Sequence, residues 1–258
     1  MEVLHLWVEF AVDIYSVFAN KPIVGNLAPL IQVENIMDTR SMINISSNIS
    51  MRKYEVTFYS ILKKKVLLRW FINGTEVPLC GHGFLALAYK LKNKSVSFEL
   101  IKSKTNMSSI RSGSDIYLLF DKVRAIQKMS TLFDIGIPYI ESINYGRDLM
   151  IVVKNAKILR SYSPNVDLLL NISNIGILIT AIDKTTPVFR FFAPRVGITE
   201  DKGSGSVIPE LYDYWSKNHS LSGIYKQYNS ENIYMKAFEQ GDSIRVGGSV
   251  YYHSKVSF

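Results

Sequence analysis

Alternation of apolar and polar positions governs most of the chain. Segments 6–18 (LWVEFAVDIYSVF), 55–62 (EVTFYSIL), 65–72 (KVLLRWFI), 95–101 (SVSFELI) and 115–120 (DIYLLF) carry it. So do 148–154, 175–182, 188–192 and 242–253. Their β-branched and aromatic content predicts strands. Helical spacing is confined to 33–49, 83–92 and 206–218, with a short helix expected at 165–173 after Pro164. Strands in the majority, without a regular strand–helix–strand rhythm, indicate an α+β protein.

One pattern occurs twice. LRWF (68–71) and FRFF (189–192) both place Arg before two aromatics on a strand. Each is followed by a loop with Pro and an acid, then a Gly-rich turn, then an apolar helix. CGHG (80–83) and GSGS (203–206) are the two turns. This echo predicts two related halves joined near 121–128. The expected domains are 1–122 and 123–258, with a last strand at about 248–258 returning to the first.

At 258 residues, 47% hydrophobic and 20% charged, the chain is expected to be an ordered globular protein. Glu2, His5, Glu9 and Asp13 interrupt the apolar N-terminus, so a secretory signal is not expected. No uncharged apolar run is long enough to span a bilayer. The single cysteine, Cys80, precludes an intrachain disulfide and fits a reducing compartment, so a cytoplasmic location is expected. The N-x-S/T matches at Asn44, Asn48 and Asn73 are read as chance. Thirty basic against 22 acidic residues give a net charge of +8. LKKKV (62–66) lacks an aromatic ladder and belongs to no nucleic-acid module, so neither nucleic acid nor membrane is expected as a partner.

Glycines ahead of a helix let a ligand approach unpaired N–H groups at the positive end of the helix dipole. Gly81 and Gly83 in one turn, Gly205 and Ser206 in the other, are thus candidate anion cradles. Each helix end is worth roughly 0.3–1 kcal/mol when exposed and up to about 2 when partly buried. Two ordinary helix starts would read the same way. Neither turn has the pattern of a phosphate loop or a dinucleotide fingerprint, so NAD or ATP would need other evidence. His82 lies inside the first turn, where either a structural or a ligand-binding role suits it. The histidines lack metal-ligand spacing, and no metal is expected. Ser204 and Ser206 fall off the nucleophile-elbow pattern of hydrolases. Glu55 opens a strand and on its own would pass for a solvent-facing acid; Asp201 reads as a charge at a helix start.

Taken together, VDIYSVFANKPIVGN (12–26), YEVTF (54–58), LRWFINGTEVPLCGHGFLALAYKL (68–91), FRFFAPRVGITEDKGSGS (189–206) and IRVGGSVYY (244–252) resemble the phenazine-biosynthesis PhzF-like family. These are cofactor-independent isomerases with the diaminopimelate epimerase-like fold. The resemblance implies two pseudo-symmetric domains, each a curved sheet or open barrel around a central helix, a site in the cleft between them, and homodimers. It implies that Glu55 moves a proton between carbons of a small carboxylated substrate. It assigns catalytic assistance to His82 and Asp201, and substrate binding to Asn26, Gly81, Gly83, Gly205 and Ser206.

The chain also departs from the family. Two-thiol epimerisation is excluded, because Cys80 opens one turn and no cysteine opens the other. Tyr54 replaces the usual Ser before the Glu. Lys202-Gly203-Ser204 replaces Pro-Ala-Thr, and Val207-Ile208-Pro209 follows. These changes predict a reshaped pocket. They also leave a catalytically silent carboxylate-binding or interaction protein as the alternative.

Overall fold

The structure is a computed structural model. It describes residues 11–19, 25–62, 65–92, 95–129, 133–217, 219–229 and 233–257. The start of the first expected strand (6–10), Glu2, His5 and Glu9, the middle of VDIYSVFANKPIVGN (20–24), and Lys63 and Lys64 of LKKKV lie outside the described residues.

The elements run β1 (Ala11–Val17), β2 (Asn26–Gln32), α1 (Thr39–Ser47), β3 (Glu55–Leu62), β4 (Lys65–Ile72), β5 (Thr75–Val77), α2 (Gly81–Lys90), β6 (Ser95–Leu100), β7 (Thr105–Ser112) and β8 (Asp115–Asp121). They continue β9 (Gln127–Met129), β10 (Glu141–Asn144), β11 (Asp148–Val152), α3 (Ala156–Ser161), α4 (Val166–Leu170), β12 (Gly176–Asp183), β13 (Thr186–Phe192), α5 (Ile208–Trp215), β14 (Ile224–Gln227), β15 (Ile233–Gln240) and β16 (Ser243–Ser257). The chain divides into two compact units. One comprises the described residues of Met1–Val17, Leu27–Ile116 and Ser249–Phe258; the other comprises those of Phe18–Asn26 and Tyr117–Gly248.

The strand order runs β1-β2-β3-β4-β6-β7-β8-β16, and β16 also pairs with β1, so eight strands close into a barrel. Helix α2 is buried on every face from His82 to Ala88, the mark of a helix enclosed by other structure. Phe84 sits between Trp70 and Phe98, with ring centroids 6.4 and 4.2 Å away. The period of two divides β3. Val56 and Phe58 point to a second core shared with Met42 of α1, while Thr57 lies under Gly83 of α2. Glu55 has the parity of Thr57 and therefore faces the α2 side.

The second unit continues the order β16-β15-β14-β13-β12-β11-β10-β9. Leu159 of α3 and Leu169 of α4 pack with Leu149, Ile151, Ile177 and Ile179 on one sheet face. On the other face, Trp215 of α5 donates from Nε1 to Thr180 Oγ1 at 3.1 Å. The architecture is α+β, as the strand-rich pattern predicted.

Boundaries shifted where caps intervene. The helix expected at 33–49 begins only at Thr39, where the Asp38 carboxylate accepts from Ser41 N. Helix α2 starts at Gly81, two residues before the expected 83, because the Cys80 thiol caps it. The helix expected at 206–218 opens as a 3₁₀ turn, Gly205–Val207, and is α-helical from Ile208 to Trp215.

The repeat is visible in the strand register. Leu62 pairs with Lys65 and Arg69 with Phe58; Asp183 pairs with Thr186 and Arg190 with Ile179. Position 62 falls on 183 and 69 on 190, a constant shift of 121 residues. The two arginines play the same part. Arg69 donates from Nε and Nη2 to the two oxygens of Glu76 at 2.7 and 2.8 Å, and from Nη1 to Ile36 O and Thr39 Oγ1. Arg190 forks onto Glu200 at 2.7 and 2.8 Å, with Nη1 on the carbonyls of Leu159 and Tyr162.

Candidate active site

The first Gly-rich turn concentrates three reactive side chains. Glu55 starts β3, Cys80 caps α2 and His82 lies in its first turn. The Cys80 thiol donates to Glu55 Oε2 at 3.1 Å, and His82 Nδ1 lies 3.4 Å from the same oxygen. Cys80 Sγ is 3.5 Å from His82 Nδ1 and 3.7 Å from Nε2. It also accepts from Gly83 N at 3.3 Å, so one sulfur caps the helix and orients the carboxylate. Cys80 and His82 are buried, whereas the Glu55 side chain is 21% exposed. The acid is therefore the member of the trio that solvent or a ligand reaches.

Two glycines here have different reasons. A Cβ on Gly83 would stand 2.2 Å from Thr57 Oγ1 and 3.1 Å from Trp70 Nε1, so the helix packs on the sheet only without one. A Cβ on Gly81 would meet nothing within 4 Å. The space at Gly81 is open above the helix end.

The second turn is knitted to itself. Asp201 accepts from Gly203 N at 3.1 Å and from Ser204 Oγ at 2.6 Å. Buried Gln227 accepts from Ser204 N at 2.7 Å and donates from Nε2 to Asp201 O at 2.6 Å and Ser204 Oγ at 3.1 Å. Asn26 lies against Gly203, its Nδ2 3.0 Å from where a Cβ would be. Gly205 faces the Phe18 ring. Ser206 Oγ lies 3.5 Å from Arg147 Nη2, at the outer limit of a hydrogen bond.

Sequence reasoning missed several of these residues. Cys80 drew notice there as the chain's single cysteine and as half of an incomplete thiol pair, although a lone cysteine in a glycine turn ahead of a helix is itself a signal. Gln227, Arg147, Asp148 and Glu210 left no such trace, and Ser204 was noted only as part of the second turn and for falling off the hydrolase pattern. Fully buried Asp148 is clamped by Arg147 through Nε at 2.9 Å to each carboxylate oxygen. Glu210 on α5 is 6% exposed, and its Oε2 has no hydrogen-bond partner among the described residues. Burial, then the neighbouring Asp148 charge, pushes its carboxyl up to about 9.

The model of the phenazine biosynthesis-like protein family (PhzC-PhzF) matches residues 15–147. An uncharacterized isomerase of Halalkalibacterium halodurans is 30% identical over 79% of this chain and 81% of its own length. The human phenazine biosynthesis-like domain-containing protein is 27% identical, covering 92% of both chains. The crystal structure of a PhzF-family phenazine biosynthesis protein from Enterococcus faecalis superposes with a TM-score of 0.87 at 23% identity, over 97% of this chain and 99% of that one. The chain belongs to the phenazine biosynthesis-like (PhzC-PhzF) family, and its fold is the diaminopimelate epimerase-like α+β fold. Among the described residues, no helix is long and apolar enough to cross a membrane.

Proposed function

We propose that this protein is an isomerase that moves a proton between carbons of a small carboxylated substrate, with Glu55 as the acid/base and no organic cofactor. The observation that carries the reading is the placement of the Glu55 carboxylate on the helix side of β3, between a thiol and an imidazole. The curated relatives named as isomerases support the reaction class.

In this reading Glu55 takes a proton from carbon, and the electron pair left behind delocalises toward the substrate carboxylate. Backbone N–H groups at Gly81 and the dipole of α2 stabilise that charge as it develops. The protonated carboxyl then returns the proton to a second carbon, so the substrate is isomerised with no net gain or loss. Cys80 fixes the rotamer of the acid. His82, 3.4 Å away, holds or relays the proton. In the second unit, Asp201 acts as a positioning residue that shapes its turn, and Ser206 presents a hydroxyl to an anionic group.

Incubation with candidate carboxylates in D₂O is the direct test. Deuterium at carbon in recovered substrate or product is the expected result, followed by mass spectrometry or NMR. A panel of small carboxylates that all bind and gain no deuterium would favour a silent binder instead.

A further inference from the structure

The trio at the first turn has a second chemistry. One oxygen, one sulfur and one nitrogen, from Glu55, Cys80 and His82, lie within 4.8 Å of one another. Zinc binds such donors at about 2.0–2.2 Å for oxygen, 2.3 Å for sulfur and 2.0–2.1 Å for nitrogen, with tetrahedral angles. Those lengths require ligand atoms roughly 3.3–3.6 Å apart. The separations here are 3.1 Å from sulfur to oxygen, 3.5 Å from sulfur to nitrogen and 3.4 Å from nitrogen to oxygen.

We propose that Glu55, Cys80 and His82 form a three-ligand site for a borderline-soft divalent ion, zinc being the one the donor set suits best. The present sulfur–oxygen distance is that of a thiol proton shared with the carboxylate. A metal replaces that proton, and the pair opens by a few tenths of an ångström. Binding is proton exchange without redox: one thiol proton leaves for solvent as the sulfur–metal bond forms. The Gly83 N–H already directed at Sγ supports the thiolate that results. Nδ1, the ring nitrogen nearer the sulfur and 3.4 Å from the Glu55 oxygen, is the ring donor. The partly exposed edge of Glu55 supplies the entry path and leaves the fourth position open to water or a ligand carboxylate. An ion seated here occupies the oxygen that the isomerase reading needs as a base. Zinc would therefore act as a reversible inhibitor. The metal site stands on the trio's geometry and holds whether or not that reaction is confirmed.

The test is a Co²⁺ titration of the tag-free, chelator-treated 258-residue chain. A sulfur-to-cobalt charge-transfer band and tetrahedral visible bands should rise together to one equivalent and collapse when Zn²⁺ is added. Cys80→Ser should remove the charge-transfer band while keeping the helix cap, since serine is itself a good cap. His82→Gln should weaken binding by more than the ~10–100-fold typical of outer-sphere partners. As Cys80 is the chain's single thiol, stoichiometric Zn²⁺ should also slow its alkylation in the unmutated protein. A chain that shows neither the band nor thiol protection, or a band that survives Cys80→Ser, overturns the site. Deuterium wash-in by the metal-free protein is a separate signal, so failure of the metal site and failure of the isomerase reading are told apart.

Discussion

The same frame appears in both units, yet the two turns it presents are opposites. In the first, strand position 55 is a glutamate reaching the end of the central helix, and the Cys80 and His82 side chains turn toward it. By the constant shift of 121, position 55 falls on Gly176, paired in register with Asp148 of the adjoining strand. A Cβ on Gly176 would lie 2.1 Å from Asp148 Oδ1 and 2.5 Å from the Phe191 ring. The carboxylate of a neighbouring strand fills the place of the missing one, and Arg147 neutralises it. Cys80, at the head of α2, has its counterpart in Ser204 at the head of the second helical segment, where the hydroxyl is spent on Asp201 and Gln227. The two hairpins share one register, while one turn presents a partly exposed acid and the other is a closed hydrogen-bonded unit.

The shared scaffold should fail alike in both halves. Arg69→Met and Arg190→Met each leave a forked carboxylate without its partner, a loss of about 3–5 kcal/mol for a buried pair. Arg69→Met should be the worse of the two, since the Glu76 side chain is 14% exposed and that of Glu200 is 26%. Denaturant midpoints of the two variants measure this, and a large cost in one half alone would break the parallel.

Glu210, in the first turn of α5 beside Asp148, gives the second unit a pH signature. Its carboxyl is raised from 4.5 to about 9 in the folded chain, so the folded state binds the extra proton. Its stabilising effect is complete below pH 4.5 and is lost as pH rises toward 9. Glu210→Gln, a neutral mimic of the protonated acid, should leave stability unchanged at about pH 4. At about pH 8 it should stabilise the chain by on the order of 2–4 kcal/mol. Thermal melts across that range should show the parent falling relative to the variant; parallel curves would contradict the burial argument.

The glycines give the smallest effects. Gly176→Ala should cost about 1–3 kcal/mol through overpacking against Asp148 and Phe191. Gly81→Ala, with open space around it, should stay within about 0.5 kcal/mol. Equal costs would mean that the two positions are not as differently built as they look.

The hairpins at 55–72 and 176–192 were legible in the sequence because their residues alternate over two long strands, and the Arg–aromatic echo marked them as repeats. Short elements such as α3 and β14 carry too few residues for a period to stand out. Glu55 could be assigned only by resemblance, since its parity toward α2 depends on where the helix packs. Arg147 and Asp148 are sequence neighbours, but Glu210 meets them only through the docking of α5, so the trio stayed invisible. Cys80 was in plain sight, but its bond to Glu55 joins two residues far apart in the chain and leaves no mark in either segment.

The central claim is that the open acid of the first turn carries the proton. Deuterium incorporation into a turned-over carboxylate, compared between the parent and Glu55→Gln, tests it most directly. A loss of about 10²–10⁴-fold in the variant, with its melting curve unchanged, is the predicted result. Equal incorporation by the two proteins would contradict it.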